Sequence, residues 1–310
     1  MSSDRGAEEG QAEGLSSEAL HVDYLLVGTV CIDLVGKKTV LGGSVTYSAL
    51  TARNLGLRVG VLTSADFEPG IMDVLVGPEN LREAATDLRV ARLPAEATTC
   101  FVNTYTPNGR VQELRAVANV LRAEHVPPEW RDASLVHLAP LAQDVSLDMV
   151  AAFPNALMGV TPQGWMRGWD EAGHVHAIEW EGAELVLRRA DAVILSEEDV
   201  PNRSYIERYA ALCKLLVVTE HRHGAVVYER GKEPYRSAAF KPSRETDPTG
   251  AGDVFAAAFL TRYLATGDPR ASADFANCVA SFSIERRGWL GIPTLAQTEQ
   301  RLKRGKRRTG

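Results

Sequence analysis

The chain has 310 residues, 45% hydrophobic and 24% charged, with 34 basic against 40 acidic side chains and a net charge of −6. That composition excludes a mainly disordered chain and a collagen-like repeat, and it allows a large core that needs no disulfide or metal staple. The acidic balance speaks against a general nucleic-acid binder, and the longest apolar runs fall far short of the roughly 20 residues of a membrane span. Neither nucleic acid nor membrane is therefore expected as a partner.

In chain order, residues 1–20 are rich in Ser, Glu, Gly and Ala and carry one basic against five acidic side chains, which reads as a disordered acidic tail. Residues 21–300 read as one domain, with no repeat and no linker. Within it, Tyr24–Val30, Val59–Thr63, Ser134–Leu138, Leu157–Val160, Ala192–Leu195 and Leu215–Thr219 are short, nearly continuous apolar runs, the pattern of strands covered on both faces. Helical patterns lie between several of them, at Val45–Leu55, Leu147–Phe153, Gly182–Arg189 and Tyr205–Leu212. Strand–helix alternation predicts an α/β fold with a mostly parallel central sheet. The segment Thr98–Thr106 instead alternates as a half-exposed strand and returns through Pro107-Asn108-Gly109, so 98–115 reads as a β-hairpin, either a plain edge or a substrate-covering lid. Helices are predicted over Asp253–Thr266, Arg270–Arg287 and Leu295–Lys303. Residues 301–310, with six basic residues between Arg301 and Arg308, read as a basic C-terminal tail, which could bind polyanions but reads better as a solvated helix end.

Cys31, Cys100, Cys213 and Cys278 lie far apart without a C-x-x-C, so neither a zinc ribbon nor a redox motif is supported. No signal peptide is recognised, and reduced thiols in a cytoplasmic protein are expected.

The chemistry concentrates at Glu245-Thr246-Asp247-Pro248-Thr249-Gly250-Ala251-Gly252-Asp253, a small-residue turn feeding a strong helix former. Four N–H groups at a helix start lack internal partners, and the dipole adds partial positive charge, so such a turn suits a phosphate. Asp253 beside it is placed to accept a proton from an attacking hydroxyl. The same pattern also suits a plainly capped helix. Neighbouring phosphates would raise the Asp253 pKa and the helix start would lower it, and the sequence does not decide between them. The stretch is not a P-loop, since G-x-x-x-x-G-K-[ST] is absent.

Asp247 to Asp253 resembles the D-T-x-G-A-G-D motif of the ribokinase (PfkB-type) carbohydrate kinases. Gly42-Gly43-Ser44, continuing through Ala49 and Ala52 to Leu55-Gly56, is similar to the family's G-G-x-x-x-N-x-A-x-x-x-x-x-L-G element. The likeness spans roughly 22–295. It implies a ribokinase-like three-layer sandwich with a small β lid, acting as an ATP-dependent kinase with Mg²⁺ and, in some branches, K⁺. It further implies Asp253 as catalytic base and the backbone N–H groups of Gly250, Ala251 and Gly252 as the anion hole. Asp33, Gly42 and Gly43 would bind acceptor, with Tyr47, Gln163 and Arg167 completing that pocket. Thr219, Gly224, Asn277 and Gly288 would bind ATP. Asp199 falls near the family's Mg²⁺ element, and Asp247 and Thr249 where K⁺-activated members supply carbonyl oxygens.

The departures limit these expectations. Tyr47 replaces a substrate-binding Asn, His221 replaces the first Gly of the T-x-G-x-x-G nucleotide loop, and Ser196…Asp199 replaces N-x-x-E. Asn277 also reads as a plain helix-surface residue, Gln163 and Arg167 as backbone-bonding loop residues, and His221 and His223 as a solvated loop. Only eight residues separate Asp33 from Gly42, which predicts a reduced lid with the 98–115 hairpin supplying most of the cover. The loop Thr161–Arg167 and Tyr47 look more like the myo-inositol kinase branch than the ribokinase branch. The expected partner is a small sugar or cyclic polyol, bound by a monomer or homodimer. A nucleoside kinase of the same family, with Tyr47 stacking on a base, and a non-catalytic nucleotide or sugar sensor remain open beside it.

Overall fold

The computed structural model describes residues 21–36, 38–66, 87–106 and 109–308; the 1–20 stretch and the Pro107-Asn108 turn lie outside them. In chain order the strands are β1 (Tyr24–Val27), β2 (Cys31–Val35), β3 (Lys38–Gly42), β4 (Val59–Ala65), β5 (Leu88–Pro94), β6 (Thr99–Thr106), β7 (Gly109–Ala116), β8 (Leu135–Leu138), β9 (Leu157–Val160), β10 (Arg167–Trp169), β11 (Val175–Ala177), β12 (Ala192–Ser196), β13 (Leu215–Thr219), β14 (Ala225–Glu229) and β15 (Tyr235–Ser237). The α-helices are α1 (Ser44–Asn54), α2 (Met149–Ala152), α3 (Ala183–Arg189), α4 (Arg203–Leu212), α5 (Ala251–Thr266), α6 (Pro269–Ser283) and α7 (Leu295–Arg304).

Nine strands form one sheet in the order β15-β14-β13-β12-β9-β8-β1-β4-β5. It is parallel except at β14 and β15, which close one edge antiparallel. Successive residues point to opposite faces, and both faces are covered. Tyr24 and Leu26 pack with α1, α5 and α6, while Leu25 and Val27 pack in a second core with α3 and α4. This is the three-layer sandwich. The helix ends follow local chemistry: Asp268 caps α6 by accepting from the Arg270 and Ala271 amides, with Pro269 opening the first turn.

The lid is larger than the sequence suggests. It has four strands, β3-β2-β6-β7. Asp33 does not close the first strand, the place of the family aspartate it resembles. It sits in the middle of β2, and the residues between Asp33 and Gly42 fold back as β3, with Asp33 opposite Val40. A tight turn at Gly36 (φ 60°) makes a full hairpin fit in that short span. The 98–115 hairpin is present as β6 and β7, and β6 runs parallel to β2.

The 301–308 stretch is not a free tail. Its first part completes α7, and beyond it Arg307 bridges to Phe240. Arg301 pairs with Glu285 at 2.9 Å, Arg307 with Asp274 at 3.0 Å, and Arg308 with Glu245. Among the described residues no helix is long and apolar enough to cross a membrane.

Candidate active site

The lid closes over the C-terminal ends of β1, β8 and β9, where ligands of open α/β sheets bind. A cavity of about 100 Å³ lies there, walled by Asp33 from the lid, by Gly43, Ser44 and Tyr47 from the start of α1, and by Thr249, Gly250 and Asp253 from the turn into α5. Gln163, from the turn after β9, and Arg167, at the start of β10, complete it. The structure therefore brings together most of the predicted acceptor and catalytic residues, although they lie up to 220 positions apart (Asp33 to Asp253, 253 − 33).

Gly42 owes its place to Asp33. A Cβ at Gly42 would stand 2.3 Å from Asp33 Oδ2, so only a residue without a side chain leaves that carboxylate oxygen its position. Gly250, the residue before α5, has φ 75°, and a Cβ there would lie 2.3 Å from the Tyr47 ring. The turn it belongs to is braced. The Asp247 carboxylate accepts from the Thr249 amide at 3.0 Å and from the Gly288 amide at 3.2 Å, and the Thr246 and Asp247 amides donate to Ile284 O. These hydrogen bonds hold the Asp247 carboxyl below its ordinary range against the opposing effect of burial.

One member of the expected anion hole is otherwise engaged. The Ala251 N–H donates to Pro248 O at 3.1 Å and closes the turn. The Val254 amide makes the first helical bond, to Gly250 O at 2.9 Å. The amides of Gly250, Gly252 and Asp253 have no protein acceptor among the described residues, so they, rather than Ala251, are the open donors at this helix start.

Burial pushes the Asp253 carboxyl up from 3.8 to about 6, against a hydrogen bond from Ser44 and the charge of Arg167, with Asp199 and Asp33 adding repulsion. Desolvation is thus the largest influence on this carboxyl, outweighing the Ser44 hydrogen bond and the Arg167 charge. Gln163 does not point a bare amide at the cavity, because its Nε2 donates to Asp199 Oδ1 at 2.7 Å while Asp199 Oδ2 accepts the Ser196 amide at 2.8 Å. Tyr47 is 2% exposed and lies against Gly250, so its ring is a back wall and offers no face for a base to stack on. Its buried hydroxyl has no partner among the described residues and ends beside Gly288.

Of the predicted nucleotide residues, Thr219, Gly224 and Asn277 gather around β13–β15, whereas Gly288 lies at the Asp247 turn. Ser196 and Thr219 are neighbours at the ends of β12 and β13. Gly224 closes the following loop so tightly that a Cβ would meet Ser237 O at 2.1 Å. His221, at the place of the family glycine, adopts φ 46°, the left-handed region that glycine enters without strain. Its Nε2 lies 3.0 Å from the exposed Glu198, and among the described residues no group of three His, Cys, Asp or Glu side chains is arranged for a metal. Asn277 departs from its expected role. It is buried and its amide donates to Ser237 O at 2.9 Å and Ser237 Oγ at 2.8 Å, so it clamps β15 to α6 and has no open donor for an adenine ring.

Sequence reasoning missed Cys31, Phe101, Gln112 and Leu141, which also wall the cavity. Cys31 was readable as the same-face neighbour two residues before Asp33; the other three depend on lid pairing and on a loop fold that carry no local signal.

The geometry agrees with comparisons to known proteins. Residues 185–294 match the model of the pfkB family carbohydrate kinases. A nucleoside kinase of Methanocaldococcus jannaschii is 33% identical over 283 residues, covering 88% of this chain and 89% of the relative. A cytidine kinase of Thermococcus kodakarensis is 24% identical, covering 78% and 88%. Among solved structures, a pyrophosphate-dependent ribokinase-family kinase complexed with a pyrophosphate analogue and myo-inositol superimposes with a TM-score of 0.72 at 18% identity, covering 89% of this chain and 99% of that one. Arabidopsis thaliana ribokinase complexed with ribose and ATP gives 0.69 at 16% identity, covering 91% and 99%. Fold, braced turn and sequence kinship together make this chain a member of the PfkB family of carbohydrate kinases.

Proposed function

We propose that this ATP-dependent kinase phosphorylates a hydroxyl of a small sugar or cyclic polyol. One observation carries the reading: Asp253, beside the open amides at the start of α5, walls the same small cavity as Asp33. Phosphoryl transfer asks for positioning and charge stabilisation more than covalent help. Asp33 accepts hydrogen bonds from acceptor hydroxyls, and Asp253 takes the proton of the attacking one. A base with a pKa of about 6 is mostly ionised at neutral pH yet still basic enough to matter. The amides of Gly250, Gly252 and Asp253 stabilise charge on the transferring group, an effect worth about 10²–10³-fold per donor. ATP lies along Thr219, Gly224 and Gly288.

Asp199 fits a divalent ion held mainly by phosphates and water, since its carboxylate is locked in place by Gln163 and Ser196 close enough to Asp253 to repel it. Mg²⁺ bound there supplies neutralisation of phosphate charge. The carbonyl groups of Asp247 and Thr249 fit K⁺, and the orphaned Tyr47 hydroxyl at the same turn supports a missing cationic neighbour.

The cavity of about 100 Å³ suits a single small ring and is well below the ~300–1,000 Å³ of pockets for larger ligands. A nucleoside acceptor is the second reading, favoured by the 33% identical relative. ADP release across ribose, fructose, myo-inositol and cytidine, with ATP and with pyrophosphate as donor, separates them. Turnover of a sugar or polyol with ATP is expected. Turnover of cytidine alone favours the second reading, and ATP binding without turnover on any acceptor contradicts both.

A further inference from the structure

Three polar side chains cross the cavity face of the lid in one row. Asp33 on β2 stands opposite Phe101 of the parallel β6, so Asn103, two residues on, projects from the same face. Asn103 is itself opposite Gln112 on β7. The contacts follow this register: Asn103 Nδ2 donates to Asp33 Oδ1 at 2.7 Å, and Gln112 Nε2 donates to Asn103 Oδ1 at 2.9 Å. Asn103 is 6% exposed, whereas Gln112 reaches the cavity wall.

The direction of this relay is fixed by chemistry. An ionised carboxylate only accepts, so Asn103 must turn its NH₂ to Asp33. Its carbonyl then faces Gln112 and must receive that residue's NH₂. Gln112 is left with Oε1 as an acceptor and the second Nε2 hydrogen as a donor, both uncommitted among the described residues. The lid therefore offers the cavity two acceptors, the Asp33 carboxylate and the Gln112 carbonyl, beside the one remaining amide hydrogen of Gln112.

We infer that this Asp33–Asn103–Gln112 relay selects the acceptor: it takes molecules that donate two hydroxyl protons to the lid, a diol on one ring, and rejects analogues that lack either hydroxyl. Asn103 is a positioning residue acting through Asp33, and Gln112 is a specificity residue. The inference rests on the kinase reading for its substrate and on the lid geometry for its polarity, and the two are tested separately.

The first arm compares acceptors with analogues lacking one hydroxyl: myo-inositol with its monodeoxy derivatives, ribose with 2-deoxyribose, and cytidine with 2′- and 3′-deoxycytidine. For the best acceptor, Gln112→Leu and Asn103→Leu lower kcat/KM by about 10–100-fold through KM, the range of a hydrogen bond to a charged or orienting group. The analogue lacking the lid-facing hydroxyl changes by less than about threefold, so discrimination collapses. Equal losses on both members of a pair overturn the selecting role. The second arm needs no acceptor. Asn103→Asp places a second carboxylate at the Asp33 contact, where the pair shares one proton at low pH and repels once both ionise. Cys31, Cys100, Tyr47 and Asp253 also face Asp33 electrostatically, and Arg167 faces Cys31 and Asp253; all are common to both proteins and cancel in the comparison. Melting of this variant against wild type between pH 4.5 and 8 should show a deficit that grows with pH. A pH-independent difference overturns the relay. Loss of every turnover in the panel by the wild-type protein refutes the kinase reading, with the melting arm still deciding the relay.

Discussion

Asparagine at position 253 keeps the shape of the catalytic side chain and removes its charge, so it separates two effects of the same carboxylate. In the folded protein burial raises the Asp253 pKa from 3.8 to about 6. A raised carboxyl pKa means that the folded state holds its proton more tightly than the unfolded state. Below pH 3.8 both states are protonated and the cost is absent; it develops as pH rises and is complete above about 6. A shift of 6 − 3.8 = 2.2 units corresponds to about 3 kcal/mol at 1.36 kcal/mol per unit, an upper limit because solvent entering the cavity screens the charge. Asp253→Asn should therefore melt up to about 5 °C higher than wild type at pH 7.5, with the gain fading toward pH 4. The same variant should lose about 10²–10⁴-fold in kcat, the contribution of general-base assistance. Differential scanning fluorimetry over pH 4–8 and coupled ADP release on the best acceptor read the two effects. A Tm gain that does not depend on pH, or near-normal kcat, refutes the reasoning.

The wild-type kcat/KM should fall tenfold per pH unit below about 6 and level off above it, as proton abstraction by Asp253 requires; a flat profile down to pH 5 contradicts that role. Gly42→Ala should raise KM for the acceptor by at least about tenfold, because the new methyl displaces Asp33 Oδ2, while KM for ATP stays unchanged; equal effects on both substrates contradict the placement. Tyr47→Phe removes a buried hydroxyl that lacks a partner, so in K⁺-free buffer it should be neutral or more stable by up to about 1 kcal/mol and lose any stabilisation that KCl gives the wild type over NaCl. His221→Gly relieves a left-handed residue and should stabilise by about 1 kcal/mol in chemical denaturation, less the small contribution of its exposed contact with Glu198.

The central strands β8, β9, β12 and β13 were readable because both of their faces are covered, which leaves continuous runs such as Leu215–Thr219. The lid was not readable to the same degree. Its sheet is covered on one side, so β2 mixes Cys31, Ile32 and Asp33, and the β2–β3 hairpin turns within a span that carries only Gly36 as a signal. The antiparallel strands β14 and β15 were hidden for a similar reason, as Tyr228, Glu229 and Arg236 interrupt the apolar pattern.

At the site, the Asp247–Asp253 turn announced itself through its likeness to a whole family motif, since glycines and an acid at a helix start alone also suit a plainly capped helix. Which amides stay open was not written locally: it depends on Pro248 O capturing the Ala251 N–H. Asn277 was placed on the correct helix, but its partner Ser237 lies 40 positions away and decides its role. The relay through Asn103 and Gln112 needs the register of three strands before any of its residues looks chemical.

The central claim is that the turn before α5 holds the transferring phosphoryl group while Asp253 faces the attacking hydroxyl. A crystal structure with ADP, Mg²⁺, aluminium fluoride and the best acceptor tests it most directly. The account predicts the planar fluoride within hydrogen-bonding distance of the Gly250 and Gly252 amides, and the acceptor oxygen between it and the Asp253 carboxylate. A fluoride bound away from that turn, or an acceptor oxygen out of reach of Asp253, would contradict it.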